Sequence, residues 1–191
     1  QAGGRAIVVS SGGPRTHELK RVKAEHVTMP VESKNPFIMY RNIGRLTKLI
    51  VAENVDVVHA RSRAPAWSAY YAAKRTGRPF ITTFHGTYSH GNMFKRIYNS
   101  VMTKGVRVIA ISNFIAGHIR RHYGVPRDRI RVIHRGVDLT RFSAPTVTAQ
   151  RVIALANEWR ITEGHPVVML PGRLTRWKGQ LLFIEALARL K

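Results

Sequence analysis

Residues 79–86 read PFITTFHG, and this stretch decides the fold class. Its short β-branched run predicts a buried strand that ends at residue 84, with a polar loop following over residues 85–92. Two further apolar runs, residues 107–111 and 131–133, are separated by a segment with helical spacing, residues 113–122. Strands that alternate with helices in this way predict βαβ units, a parallel sheet and an α/β fold.

The same alternation extends toward the N-terminus. Apolar residues recur at spacings of three and four over residues 36–54, which is typical of an amphipathic helix. We predict strands at residues 6–10, 26–31 and 55–59, and further helices at residues 64–75 and from residue 92 to residue 104. Gly77 and Gly124 are predicted to end two of the helices.

The pattern changes after residue 138, where a non-periodic stretch indicates a link between domains. We place the first domain at residues 1–143 and the second at residues 144–191. The second begins with a helical segment at residues 146–159, followed by a predicted strand at residues 167–170 and a helix at residues 179–190.

The composition is strongly basic, with 32 Lys and Arg against 10 Asp and Glu and a formal net charge of +22. Such a charge favours a polyanionic partner: nucleic acid, an anionic membrane surface or a phosphate-bearing substrate. The chain has no cysteine, which excludes disulfides and thiolate metal sites. No apolar run approaches the roughly 18 residues that a membrane-spanning helix needs.

Candidate functional residues follow the predicted strands, since ligands bind at the carboxyl ends of parallel strands. His85, with Gly86 beside it, could bind a substrate hydroxyl or stabilise charge, or it could only cap its strand. Ser112 is expected to face the same crevice, although a helix cap is its simpler role. Gly136 permits a tight turn, and Asp138 either contacts ligand or bonds backbone amides in that turn.

A second candidate site lies in the segment from Gly172 to Gly179. Arg173 and Lys178 flank the start of the last predicted helix, where free N–H groups and the helix dipole favour an anion. This arrangement suits a diphosphate, although a solvated basic loop is the simpler interpretation.

We expect no metal and no cofactor. His118 and His122 lie on one helix face, but the intervening Arg120 and Arg121 would repel a cation. The basic residues near Lys95 and Arg96 are interpreted as a solvated face, with contact to an anionic membrane as the alternative.

With these motifs in place, the chain resembles family 4 glycosyltransferases of bacterial type over essentially its whole length. The resemblance rests on the order and spacing of several short segments: VVH at residues 57–59, TFHG at 83–86, VIAIS at 108–112, VIHRGVD at 132–138 with Phe142 after it, and GRL at 172–174 with Lys178 and Gly179.

The resemblance implies a GT-B architecture, in which two Rossmann-like domains face each other across a cleft. It implies metal-independent transfer with retention of configuration, from a nucleotide-sugar donor to a glycan or lipid-linked acceptor. His85 would lie close to the reacting sugar, Arg173 and Lys178 would hold the donor diphosphate, and Gly136 and Asp138 would lie near the cleft.

The chain also departs from the family pattern. A first strand with a glycine-rich loop normally precedes a segment like residues 3–10, and a Glu-x7-Glu stretch normally follows the second-domain start. We therefore expect a piece cut at both ends, with little transferase activity of its own. We expect a cytoplasmic location, and peripheral contact with the inner membrane face stays open.

Three other interpretations remain at this stage. A nucleotide-sugar epimerase of the same fold would isomerise the sugar instead of transferring it. A basic nucleic-acid-binding protein would account for the charge, although no recognition module is present in the sequence. An inert structural fragment is the third.

Overall fold

The computed structural model describes residues 3–88, 92–140 and 142–190, and the predicted loop at residues 85–92 therefore lies partly outside the described residues. Contacts within the chain divide it into two units, Gln1–Gly136 and Val137–Lys191. The domain boundary predicted after residue 143 stays a prediction.

The first unit is an α/β layer structure, as predicted. Its elements in chain order are β1 (Ile7–Ser10), α1 (Thr16–Arg21), β2 (Glu25–Thr28), α2 (Pro36–Ala52), β3 (Val58–Ala60), α3 (Arg63–Thr76), β4 (Phe80–Phe84), α4 (Met93–Ser100), β5 (Arg107–Ala110), α5 (Asn113–Tyr123) and β6 (Ile130–Val132).

All strand pairs of the described chain are parallel, which confirms the predicted sheet type. β1 pairs with β2, and β3 to β6 form a four-stranded sheet in the order β3-β4-β5-β6. In its register Ala60 lies opposite Thr82, and Phe84 lies opposite Ala110. Chain order and spatial order coincide, so each helical crossover joins neighbouring strands.

The core of the first unit lies between the four-stranded sheet and the helices packed on it. Phe84, Met102, Val108 and Ile119 are almost completely removed from solvent. The central strand β4 is buried along nearly its whole length, as expected for a parallel sheet that is covered on both faces.

Glycines end two helices of this unit at the predicted positions. Gly77 and Gly124 cap α3 and α5 with φ of 66° and 64°. This left-handed conformation is accessible to glycine without steric cost. Helix α1 was not predicted, because only one of its six residues, Leu19, is apolar, and a single residue shows no periodicity.

The second unit contains α6 (Ala149–Glu158) and α7 (Gln180–Leu187). The structure has no strand at residues 167–170, where the sequence predicts one, so that prediction is wrong. A strand needs a partner for its backbone hydrogen bonds, and the described residues of this unit form no ladder with it. Val167 and Val168 are accordingly more than half exposed.

None of the described helices has the length and apolar character required to span a bilayer.

The tightest backbone approach to a glycine occurs at Gly105, just before β5. A Cβ there would lie 2.7 Å from the Arg107 carbonyl oxygen and 2.9 Å from that of Phe80. We expect Gly105→Ala to lower the free energy of unfolding by about 2 kcal/mol or more, because backbone would have to move. Urea denaturation of the variant measures this loss.

Gly44 in the middle of α2 provides the matched control, because nothing lies within 4 Å of its Cβ position. Gly44→Ala should raise the free energy of unfolding by about 0.5–1 kcal/mol through helix propensity. Equal stability of the two alanine variants would contradict the close packing of β4 against the start of β5.

Candidate functional site

Three side chains of the first unit meet at the carboxyl edge of the four-stranded sheet. Arg61 directly follows β3, His85 directly follows β4, and Arg135 lies shortly after β6. The ladder continues past β6 with a hydrogen bond of 2.9 Å from the Ile133 N–H to the Ala110 carbonyl. Parallel pairing therefore brings together residues that are far apart in the sequence.

The imidazole of His85 lies between two guanidinium groups. Arg135 Nη2 is 3.0 Å from Nδ1, and Arg61 Nε is 3.4 Å from Nε2. These three residues and Gly136 line an open pocket of about 530 Å³. The sequence-predicted residues His85 and Gly136 are thus brought to one site, and Gly86 lies half-buried beside it.

Burial and the two flanking arginines, Arg61 and Arg135, lower the pKa of His85. The neighbouring His59 also has a lowered pKa, chiefly through burial and secondly through Arg61, and its Nε2 lies 2.7 Å from the Thr83 hydroxyl. The lowered pKa favours the neutral ring of His85, in which one nitrogen carries an N–H and the other has a lone pair that can accept from one arginine.

The segment after His85 is held against α3 by a cation–π contact. Arg63 lies over the Tyr88 ring at 4.6 Å, and its Nη1 donates to Asn99 Oδ1 at 3.0 Å. Trp67 Nε1 adds a hydrogen bond of 3.1 Å to the Tyr98 carbonyl, which ties α3 to α4. These contacts join α3 to α4 and to Tyr88, three residues after His85.

Two further predicted residues have local structural roles. Ser112 caps α5 by accepting a hydrogen bond of 3.2 Å from the Ile115 N–H, which confirms the simpler of its two interpretations. Asp138 Oδ1, in the second unit, accepts from the Thr140 N–H at 3.0 Å and from its hydroxyl at 2.6 Å. Asp138 thus does stabilise a turn, and a ligand contact for it stays a prediction.

The second unit brings Arg173 and Lys178 together on one aromatic ring. Lys178 Nζ is 4.5 Å from the Trp177 ring centroid, and Arg173 Cζ is 6.0 Å from it. Gly179 adopts φ of 77° and caps α7, and Gln180 Nε2 donates to the Arg173 carbonyl at 2.9 Å. Both cations and Gly172 therefore belong to one compact turn directly before a helix.

Within the described ranges, no three His, Asp or Glu residues cluster in a way that could hold a metal. The rings of His118 and His122 do lie 4.6 Å apart on α5.

Sequence reasoning missed the two arginines around His85. Arg135 lies within a motif that the sequence singled out, but it was given no role, and Arg61 was not considered. The available signal was their position, because each follows an apolar run that ends at the same sheet edge. A charged residue directly after a predicted strand was therefore the feature that would have identified both arginines.

A family model described as Glycosyltransferase Family 4 matches residues 1–141. Among curated proteins, the D-inositol 3-phosphate glycosyltransferase of Xylanimonas cellulosilytica is 26% identical over 155 residues. That match covers 71% of this chain and 36% of the relative.

Among solved structures, a glycosyltransferase from Rickettsia africae is 41% identical with a TM-score of 0.84, over 99% of this chain and 50% of that one. HepE of Anabaena, solved with UDP and glucose, has a TM-score of 0.78 at 19% identity, over 97% of this chain and 50% of that one. The chain thus spans about half the length of these structures and about a third of the curated relative.

The environment of His85 predicts how its ring titrates. We expect its pKa to lie below the ordinary histidine value, and Arg135→Gln to raise it only part of the way back, because burial and Arg61 remain. NMR titration of the ring protons measures both values. An unchanged pKa in Arg135→Gln would contradict the contact between the guanidinium and Nδ1.

Proposed function

The chain belongs to glycosyltransferase family 4, and on this basis we propose that it is part of a retaining enzyme that transfers a sugar from a nucleoside diphosphate sugar to a glycan or lipid-linked acceptor. The observation that carries the proposal is the convergence of Arg173 and Lys178 on Trp177 at the start of α7. Two fixed cations beside free helix N–H groups match the charge of a diphosphate.

The chemistry of transfer explains why these cations matter. As the bond between the anomeric carbon and the phosphate oxygen breaks, negative charge develops on the departing nucleoside diphosphate. Cations already in position stabilise that charge more in the transition state than in the ground state, which accelerates the reaction. We propose that Arg173 and Lys178 do this without a metal ion.

His85 has a different role in this proposal. The Arg135 contact to Nδ1, at 3.0 Å, is shorter than the Arg61 contact to Nε2, at 3.4 Å, so we assign the N–H of the neutral ring to Nε2. An N–H of this kind can donate to a substrate oxygen close to the reacting carbon. Gly136 lines the same pocket as His85, and a contact of Asp138 with the substrate also belongs to this proposal.

The acceptor is proposed to be anionic. The net charge of +22 favours an anionic partner, and the curated relative is named for D-inositol 3-phosphate. The alternatives of an epimerase or of a nucleic-acid-binding protein have no comparable support from the family match.

A surface of α4 favours membrane contact as an additional property. Met93, Phe94 and Ile97 are 74%, 84% and 55% exposed, and Lys95 and Arg96 lie beside them. Apolar side chains next to cations are typical of helices that lie in an anionic lipid interface. We propose that this face rests on the membrane that carries a lipid-linked acceptor.

The donor site predicts a preference for diphosphates. UDP and GDP should each bind the chain more tightly than the corresponding monophosphate in calorimetric titrations at constant ionic strength. Arg173→Gln and Lys178→Gln should each reduce diphosphate affinity about three- to fivefold, as expected for exposed ion pairs. Arg189→Gln, an exposed cation near the end of the same unit, should have no such effect.

Equal binding of diphosphate and monophosphate by the unaltered chain would overturn the assignment of this turn as the donor site.

The membrane proposal predicts binding to anionic vesicles in a cosedimentation assay. Phe94→Ser should weaken binding about tenfold, because one large apolar side chain would no longer enter the interface. Val51→Ser, at the exposed far end of α2, is the matched control and should bind like the unaltered chain. Equal binding to neutral and anionic vesicles would contradict a role for Lys95 and Arg96.

A further inference from the structure

We propose that Arg61, His85 and Arg135 form a phosphate-binding site in the first unit. These residues are different from the pair assigned to the donor diphosphate, and neither Arg61 nor Arg135 has a ligand in the proposed function. The inference rests on three observations: the hydrogen-bonding capacity of the imidazole, the distribution of carboxylates, and the size of the pocket.

The imidazole of His85 cannot satisfy both guanidinium groups. A neutral ring has a single lone pair, so it accepts from only one arginine. The Arg135 contact at 3.0 Å is the better one, and it leaves the N–H of Nε2 facing the Arg61 Nε at 3.4 Å. Two donors then face each other without an acceptor between them. A ligand oxygen placed there would accept from both.

No carboxylate supplies the missing acceptor. All 10 Asp and Glu residues lie within the described parts of the chain, and the ion pairs formed there involve Arg5 and Arg15, not Arg61 or Arg135. Two guanidinium groups on one neutral ring repel each other, and an anion between them reverses that repulsion. The arrangement is therefore complementary to negative charge.

The pocket favours a phosphate group carried by a larger molecule. Its volume of about 530 Å³ lies in the range of small-molecule sites and exceeds what a bare ion needs. Gly136 contributes no side chain, and nothing lies within 4 Å of its Cβ position. Guanidinium forks match phosphate oxygens, and a phosphate has enough oxygens to accept from both arginines and from the ring N–H.

The source of the phosphate depends on the proposed function. In a transferase of this kind it is either a phosphate on the acceptor or the diphosphate of the donor. Both present the same chemistry to Arg61 and Arg135, so experiment has to separate them.

The site is tested by NMR titration of the chain with inorganic phosphate at constant ionic strength, followed by the ring signals of His85. Arg61→Gln and Arg135→Gln should each weaken phosphate binding about tenfold, the effect of losing one charge-assisted hydrogen bond. Arg75→Gln removes the same charge from the exposed last turn of α3 and should bind like the unaltered chain.

An equal loss of affinity in Arg61→Gln and Arg75→Gln would show that only the overall positive field attracts phosphate, and would overturn the site. Unchanged binding in both Arg61→Gln and Arg135→Gln would overturn it as well. Circular dichroism and thermal unfolding of each variant establish that the fold is retained.

Repeating the titration with glucose 6-phosphate and with UDP identifies the source. If Arg61→Gln weakens glucose 6-phosphate binding and leaves UDP binding unchanged, the phosphate belongs to the acceptor. If UDP binding falls by the same factor, it belongs to the donor. A chain that binds inorganic phosphate through Arg61 and Arg135 but shows no preference for diphosphates would retain this site and lose the proposed donor site.

Discussion

Parallel pairing of β3 to β6 is the constraint on which the first unit depends. Parallel strands must all end at the same edge, so the residues that follow them become neighbours whatever their distance in the chain. Arg61 and Arg135 are separated by most of the unit, yet both contact His85. The backbone hydrogen bonds of the sheet thus determine the composition of the candidate site.

Electrostatics then determine what this edge can do. Burial and two guanidinium groups keep the His85 ring neutral, so the ring acts as a hydrogen-bonding group between fixed charges and not as a third cation. The chain has few carboxylates, and the ion pairs between described residues lie near β1, β2 and α1. Among the described residues no carboxylate neutralises the positive charge at the sheet edge, and this edge is therefore complementary to an anionic ligand.

The second unit is organised differently. Its candidate residues lie within one turn, where Trp177 holds both cations and Gly179 allows the chain to enter α7. This geometry needs no long-range pairing, because the contacts join neighbours in sequence. The apolar residues of α7, among them Leu181 and Leu182, are largely exposed, in contrast to the buried helices around β4.

The sequence by itself determined the α/β class, most strands and helices, the glycine caps and the local turn around Trp177, because periodicity and turn chemistry act over a few residues. It identified His85, since a histidine after a buried strand is visible in one short segment. It overpredicted the strand at residues 167–170, because an apolar run becomes a strand only with a pairing partner. Only the tertiary structure determined that two arginines contact His85, since their proximity results from strand order and register across the sheet.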